Sequence, residues 1–289
     1  MTLRMALASM AVLFTLPAWS AALPDIVLLG DDIRVAVLQQ CPQPCRSGSN
    51  SVATAPQGSS ASSIASLAQR AKHAVIVVNA TQGPLPITRE HIQIARQAGV
   101  PSLSILLVNV AQVDDTELLE LEELEIRELM NAYEMHGDSA PVFYDASHAA
   151  EMPVQQVNGL ASALTALKDE PARPELELTD VTGKNLATVI YLLTPEESAL
   201  SLPLRKDSPV NVWVNGQVGH ATVSSTNVLN PGDNGELALQ LSAPVSAAGS
   251  RLLLEREGRI IALGVVVGIS SRYAERQMVE ADELVFGNL

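Results

Sequence analysis

Aromatic side chains are scarce: three phenylalanines, four tyrosines and two tryptophans in 289 residues. That argues against a base-stacking platform for single-stranded nucleic acid, which needs successive aromatic faces. Positive charge is thin too, with 18 Lys and Arg against 32 Asp and Glu and a net charge of −14. The cations never cluster, so no nucleic-acid partner is expected. Cysteine is limited to Cys41 and Cys45. Two cysteines without paired histidines do not make a tetrahedral metal set, and no metal site is expected. They flank Pro42-Gln43-Pro44, a turn short enough to bring them within bridging distance. In an oxidising compartment they read as a disulfide. A redox pair, the other reading, needs a thiol of lowered pKa. No Gly-x-x-x-x-Gly-Lys-Ser/Thr run occurs, so the standard backbone cradle for nucleotide phosphates is missing. Ser47, Ser49 and Ser51 lie in no Gly-x-Ser-x-Gly elbow, so a serine nucleophile is not indicated.

What is present begins with a short apolar run. Arg4, the core Met5–Leu16 and the small residues Ser20-Ala21-Ala22 read as a signal peptide over residues 1–22, with cleavage near Ala22. The run is too short for a comfortable membrane span. The expected location is therefore periplasmic or secreted. The rest suits two domains. The expected division is an α/β domain at 23–168, a proline-stiffened linker at 169–176, a β-barrel at 177–271 and an acidic tail at 272–289.

Residues 72–147 carry the clearest pattern. Ala74–Val78 and Leu103–Val110 are apolar runs without polar alternation, as in strands buried on both faces of a parallel sheet. Between them Thr88 is placed to cap a helix with Ile92, Ile94, Ala95 and Ala98 on one face, stopped by Gly99 and Pro101. A second helix opens at Asp114 or Asp115, with Leu118, Leu121, Leu124 and Ile126 as its core side. Glu120, Glu123 and Arg127 are expected to face water, the last two as a pair. Pro141–Tyr144 is a third strand. Upstream, Asp25–Leu29, Gly-Asp-Asp and Ile33–Leu38 read as a β-hairpin. Residues 47–63 read as a polar loop or insert, and 64–72 as a short helix. A further helix is expected at 157–168. Beyond the linker, strands recur around 188–193, 210–214, 220–224, 237–241, 251–255 and 260–269, the spacing of an antiparallel barrel or sandwich.

Several runs resemble one family. They are Ala80-Thr-Gln-Gly-Pro-Leu-Pro-Ile-Thr-Arg-Glu-His91, Arg96-Gln-Ala-Gly-Val-Pro101, Val113-Asp-Asp-Thr-Glu-Leu-Leu-Glu-Leu121 and Glu125-Ile-Arg-Glu-Leu129. Over Lys72–Met130 the chain is similar, almost position by position, to the translational GTPase elongation factor Tu. Asn230–Asn234 and Arg251–Val266 are similar to that family's third domain, a β-barrel. The resemblance implies a truncated P-loop GTPase-like parallel sheet followed by an antiparallel barrel, without the family's middle barrel. It also implies where nucleotide contacts would lie. The family's Asp-Cys-Pro-Gly-His corresponds to Gln40-Cys41-Pro42-Gln43-Pro44. Its guanine-reading Asn-Lys-x-Asp corresponds to Val108-Asn109-Val110-Ala111, and its later Ser-Ala to Ala146-Ser147. Carboxylate, lysine and histidine are replaced throughout. Residues 23–71 are too few for the family's first strand, phosphate loop, first helix and switch. The expectation is an exported, catalytically inactive pseudo-GTPase that binds a protein and holds no cofactor. The alternative is GTP or GDP with magnesium in a reorganised site.

Remaining candidates carry less. Glu90-His91 reads as a surface pair. His136 with Asp138, and Asp145 with His148, have acid–base residue types but no nucleophile beside them. The glutamates Glu117, Glu120, Glu122, Glu123, Glu125 and Glu128 read as a solvated helix face.

Overall fold

Ile26-Val-Leu-Leu-Gly30 has no polar face to turn outward, and the chain buries every residue of it. In the computed structural model, which describes residues 23–145, 159–169, 182–247 and 249–270, this run is a parallel strand, β1. The expected hairpin over Asp25–Leu38 does not form. After Gly30 the chain turns into a short helix, α1 (Arg34–Gln39), which buries Arg34 and Val37. A continuous apolar run signals a strand paired on both sides, and β1 indeed lies between two parallel partners. The segment expected as a polar loop supplies the sheet's edge instead. β2 (Arg46–Ser47) pairs antiparallel with β3 (Asn50–Thr54), and β3 runs parallel to β1 with Ile26 opposite Val52. The short amino-terminal segment thus does hold a first strand and a first helix.

The remaining strands of the sheet are β4 (His73–Asn79), β5 (Leu103–Val108) and β6 (Val142–Tyr144), giving the order β2-β3-β1-β4-β5-β6. Side chains alternate across each strand. Val27, Leu29, Ile76, Val78, Ile105 and Leu107 therefore share one face, while Ile26, Leu28, Val75, Val77, Leu106 and Val108 share the other. The first face is covered by α2 (Ala61–Ala68), α3 (Pro86–Gln97) and α4 (Thr116–Ala132). The second is covered by α1 and α5 (Gly159–Ala166).

Two helices differ from expectation. α3 starts earlier, with Leu85 as N-cap and Pro86 in the first turn, where a missing N–H costs nothing. Thr88 accepts the Leu85 N–H at 3.1 Å from inside the helix. α4 starts as expected, with Asp115 accepting the Glu117 N–H at 2.9 Å, but it is rotated. Leu119, Glu122, Ile126 and Met130 face the core, while Leu118, Leu121 and Leu124 are 45%, 61% and 51% exposed. Only Ile126 of the expected core side is buried. The Glu123–Arg127 pair forms at 2.8 Å, yet it is half-buried. Arg127 also donates to the carbonyls of Gly137, Asp138 and Ala140, and Tyr144 donates its hydroxyl to Glu123.

Glu122 occupies a core slot between Leu119 and Ile126, and its Oε2 has no partner. Burial pushes its pKa up. An unpartnered buried oxygen costs on the order of 1–3 kcal/mol. Glu122→Leu is therefore expected to raise the unfolding free energy by roughly 1 kcal/mol, read as a higher urea midpoint at unchanged slope.

The second unit is a closed antiparallel barrel in the order β10-β7-β12-β11-β8-β9. Its strands are β7 (Thr182–Leu192), β8 (Pro209–Val214), β9 (Gln217–Val223), β10 (Asn234–Ser246), β11 (Arg251–Arg256) and β12 (Arg259–Ser270). Closure leaves no unpaired edge. Leu186, Ile190, Val212, Leu239, Leu252 and Ile261 belong to its interior cluster. Trp213, Leu253, Ile260 and Leu263 point outward into the core cluster of the α/β unit. The signal peptide at 1–22, the acidic tail at 272–289 and nearly all of the linker at 169–176 lie outside the described residues. Among the described residues no helix is long and apolar enough to cross a membrane.

Candidate functional site

In an open α/β sheet, ligands gather outside the carboxyl ends of the strands. Here that means the turns after β1, β4 and β5. The turn after β1, between a strand and a helix, is where a phosphate loop would run. It reads Gly30-Asp31-Asp32-Ile33. Gly30 has φ +93°, and a Cβ on it would stand 2.2 Å from the Val77 carbonyl oxygen. The glycine serves close passage past β4. It does not open a cradle.

Four backbone donors at and just after this turn are engaged. The Gly30 N–H donates to His91 Nδ1 at 2.9 Å, and the Asp31 N–H to the Val77 carbonyl at 2.9 Å. The Arg34 and Val35 amides donate to the carbonyls of Asp31 and Asp32. Side chains fill the space above them. The Asp31 carboxylate is buried, accepts the Asn79 N–H at 3.0 Å through Oδ2, and accepts the Thr88 hydroxyl through Oδ1. Burial raises its pKa against the opposing pull of those hydrogen bonds and of Arg34. Arg34 is 1% exposed. It donates to the Gly30 carbonyl at 3.2 Å, to Asp32 Oδ1 at 2.7 Å and to the Ala55 carbonyl at 3.5 Å. That guanidinium ties the end of β1 to the turn after β3. His91 is fully buried, and burial followed by the nearby Arg34 charge lowers its pKa to about 3. It is a neutral ring whose Nδ1 accepts a hydrogen bond and whose Nε2 has no partner.

The turns after β4 and β5 are laced together as well. Asn79 Oδ1 accepts from Thr81 Oγ1 and from Asn109 Nδ2, both at 3.0 Å. Asn109 adopts φ +60°, a left-handed conformation that asparagine tolerates. Among the described residues no group of three or more His, Cys, Asp or Glu side chains could hold a metal ion. Four amides at the turn after β1 are thus spent within the chain, and the turn carries the two carboxylates of Asp31 and Asp32 beside the Arg34 guanidinium.

Of the residues singled out from sequence, Val108 and Asn109 reach this mouth, at the end of β5. Ala111 is exposed in the single turn that follows, Val110–Gln112. Gln40, Cys41, Pro42 and Gln43 do not join them. They form the turn between α1 and β2, where Gln43 donates to the carbonyls of Leu38 and Cys41. Cys41 and Cys45 are bonded as a disulfide there, with their α-carbons 5.5 Å apart. The Cys45 carbonyl accepts from Val52, which is level with Ile26 at the start of β1. The turn beside the end of β1 is instead the one that follows Thr54, where Arg34 meets Ala55. Ala146 and Ser147 lie outside the described residues, as does His148.

Glu90-His91 is not a surface pair. Both are buried, His91 against β1 and Glu90 against the barrel, where its Oε1 accepts the Ile260 N–H at 2.9 Å. His136 and Asp138 are exposed, and Asp138 accepts from Asn131. Ser47 donates to the Leu164 carbonyl and Ser51 to Asp25, as structural hydroxyls.

Asp31, Arg34, Asn79, Thr88 and His91 were not singled out for this mouth. The one available signal was the unalternating Ile26–Leu29 run followed by Gly-Asp-Asp, a pattern equally open to a strand-to-helix turn. Residues 61–188 match the family model described as the elongation factor Tu GTP binding domain. The match begins at the first residue of α2, after the whole β1–α1–β2–β3 segment that carries Gly30, Asp31 and Arg34. From α2 onward the α/β unit is thus similar to the elongation factor Tu GTP binding domain.

Proposed function

We propose that this chain is an exported, catalytically inactive relative of elongation factor Tu that works as a protein-binding module. The carrying observation is the closed turn after β1: the Gly30 and Asp31 amides point at His91 and Val77, and Arg34 fills the space beside them. A phosphate group seated there would have to break those bonds and stand against Asp31 and Asp32. The export reading rests on residues 1–22 and agrees with a disulfide-bonded Cys41–Cys45.

Strand addition at the sheet edge is not the binding mode favoured here. The edges of the sheet are the two-residue β2 and the three-residue β6, too short to template a long added strand. The surface offered to a protein is instead the exposed Leu118, Leu121 and Leu124 side of α4. The paired substitution Leu121→Lys with Leu124→Lys is expected to shift stability by no more than about 0.5 kcal/mol. It should abolish the partner band in an envelope crosslinking pull-down; an unchanged band would remove α4 from the account.

The second reading is a GTP-binding protein with a reorganised site; the match to a GTP binding domain fits either reading. Unfolding in the presence of nucleotide separates the two. A ligand at about a thousand times its Kd stabilises by about 4 kcal/mol. Saturating GTP or GDP with magnesium is expected to leave the urea midpoint unmoved; a clear upward shift supports the second reading.

A further inference from the structure

α2 is a weak helix on its own terms. It has eight residues, three of them serine, and an isolated helix that short is not stable in water. Its first orphan N–H groups look for acceptors. Ser60 takes the Ser63 amide at 3.2 Å from within the segment. The two before it are taken by the barrel. The Ala61 N–H donates to the Gly258 carbonyl at 2.8 Å, and the Ser62 N–H to Glu255 Oε2 at 2.7 Å. Glu255 is buried, so its negative charge meets the positive end of the helix with little screening. One turn further, Trp213 donates its indole N–H to Ser66 Oγ at 2.9 Å.

α3 is held by the same barrel strands. Gln97 Nε2 donates to the carbonyls of Leu252, at 2.5 Å, and Gly264, at 3.0 Å. Arg251 Nη1 donates to the Arg96 carbonyl at 2.6 Å. Glu90 accepts from Ile260 and pairs with Arg259 at 2.5 Å. Ile64, Ala65 and Ala68 share one continuous core with Trp213, Leu253, Ile260 and Leu263.

We propose that the β11–β12 hairpin is a built-in clamp that completes α2, so that α2 is helical only while the barrel is seated and the two units open together. The inference does not rest on the absence of nucleotide binding. It states that α2 is positioned by Glu255 and the Gly258 carbonyl, whatever occupies the mouth after β1.

Hydrogen exchange on the full chain, read by mass spectrometry, tests it. In the unsubstituted protein, residues 61–68 should exchange together at one rate, set by unseating of the barrel, and far more slowly than an isolated helix of that length. The β11–β12 amides, paired within the closed barrel, need not match that rate and can be slower still. Glu255→Ala should speed exchange of 61–68 by about tenfold or more, the size expected for losing a charged cap. Strands β7 and β10 should change much less. Glu255→Gln, which keeps an acceptor oxygen, should restore most of the protection. Exchange of 61–68 in the unsubstituted protein at the rate of an unprotected segment would overturn the clamp. So would unchanged protection of 61–68 in folded Glu255→Ala. If Glu255→Ala fails to fold, Glu255→Gln and the unsubstituted comparison still decide.

Discussion

Gly30→Ala is expected to lower the unfolding free energy by roughly 2–5 kcal/mol, combining left-handed strain with overpacking. At φ +93° a Cβ carries its own cost, and the new methyl would lie 2.2 Å from the Val77 carbonyl oxygen. Val77 is the register partner of Gly30 in the sheet, so the clash cannot be relieved by rotating a side chain. β1 must move away from β4. That movement stretches the Gly30–His91 bond and tilts Asp31 out of its contacts with Asn79 and Thr88. Equilibrium urea unfolding checks the size of the loss. A loss below about 1 kcal/mol, or the gain of up to about 1 kcal/mol that an unstrained Gly-to-Ala change gives, would mean that β1 does not run hard against β4 at Gly30.

The second large effect is on pH dependence, through His91. Its folded pKa is lowered to about 3, against about 6.5 in an unfolded chain. Below about pH 6.5 the unfolded state takes up a proton that the folded state refuses. The stability from this group is therefore complete above about pH 6.5 and is lost as pH falls toward the folded value. The limiting slope is about 1.4 kcal/mol per pH unit, or about 2 kcal/mol between pH 6.5 and 5. Groups facing His91 come from three elements: Arg34 on α1, Asp32 in the turn before it, and Arg259 on β12. Asp31 and Glu90 act in the opposite sense, since burial raises both and the folded state binds their protons more readily. Their influence grows as pH approaches the carboxylate range, so the histidine effect is cleanest at its upper end. His91→Gln keeps an acceptor for the Gly30 amide and removes the titration. Urea midpoints at about pH 7, 6 and 5 should fall for the parent and stay nearly level for His91→Gln. Parallel curves would show that His91 is not the titrating group.

Much of the architecture could be read from the chain because single patterns had single meanings. Ala74–Val78 and Leu103–Val108 are unalternating apolar runs of strand length, and they are central strands. The turn-punctuated segments after the linker close into a barrel. Reading failed where one pattern had two meanings. Ile26–Leu38 contains apolar runs on either side of Gly-Asp-Asp, which suits a hairpin locally. What decides between hairpin and strand–turn–helix is a long-range fact, that β1 finds parallel partners on both sides. α4 contains leucines at 118, 119, 121, 124 and 129 among six glutamates, so more than one face looks apolar. The chosen face contains Glu122, which no hydrophobic pattern would select. Glu90 and His91 look like surface residues because charged and imidazole side chains usually are. They are buried because each finds a partner remote in sequence, Ile260 and Gly30. The mouth itself was illegible for the same reason. Asp31, Arg34, Thr88 and His91 acquire their meaning only when β1, α1 and α3 converge.

The central claim is that the place of a phosphate loop is occupied by the chain's own Asp31, Arg34 and His91 contacts. Isothermal titration with GTP and GDP, with and without magnesium, tests it most directly. The account predicts no heat of binding up to about millimolar nucleotide, whereas saturable binding in the micromolar range would contradict it.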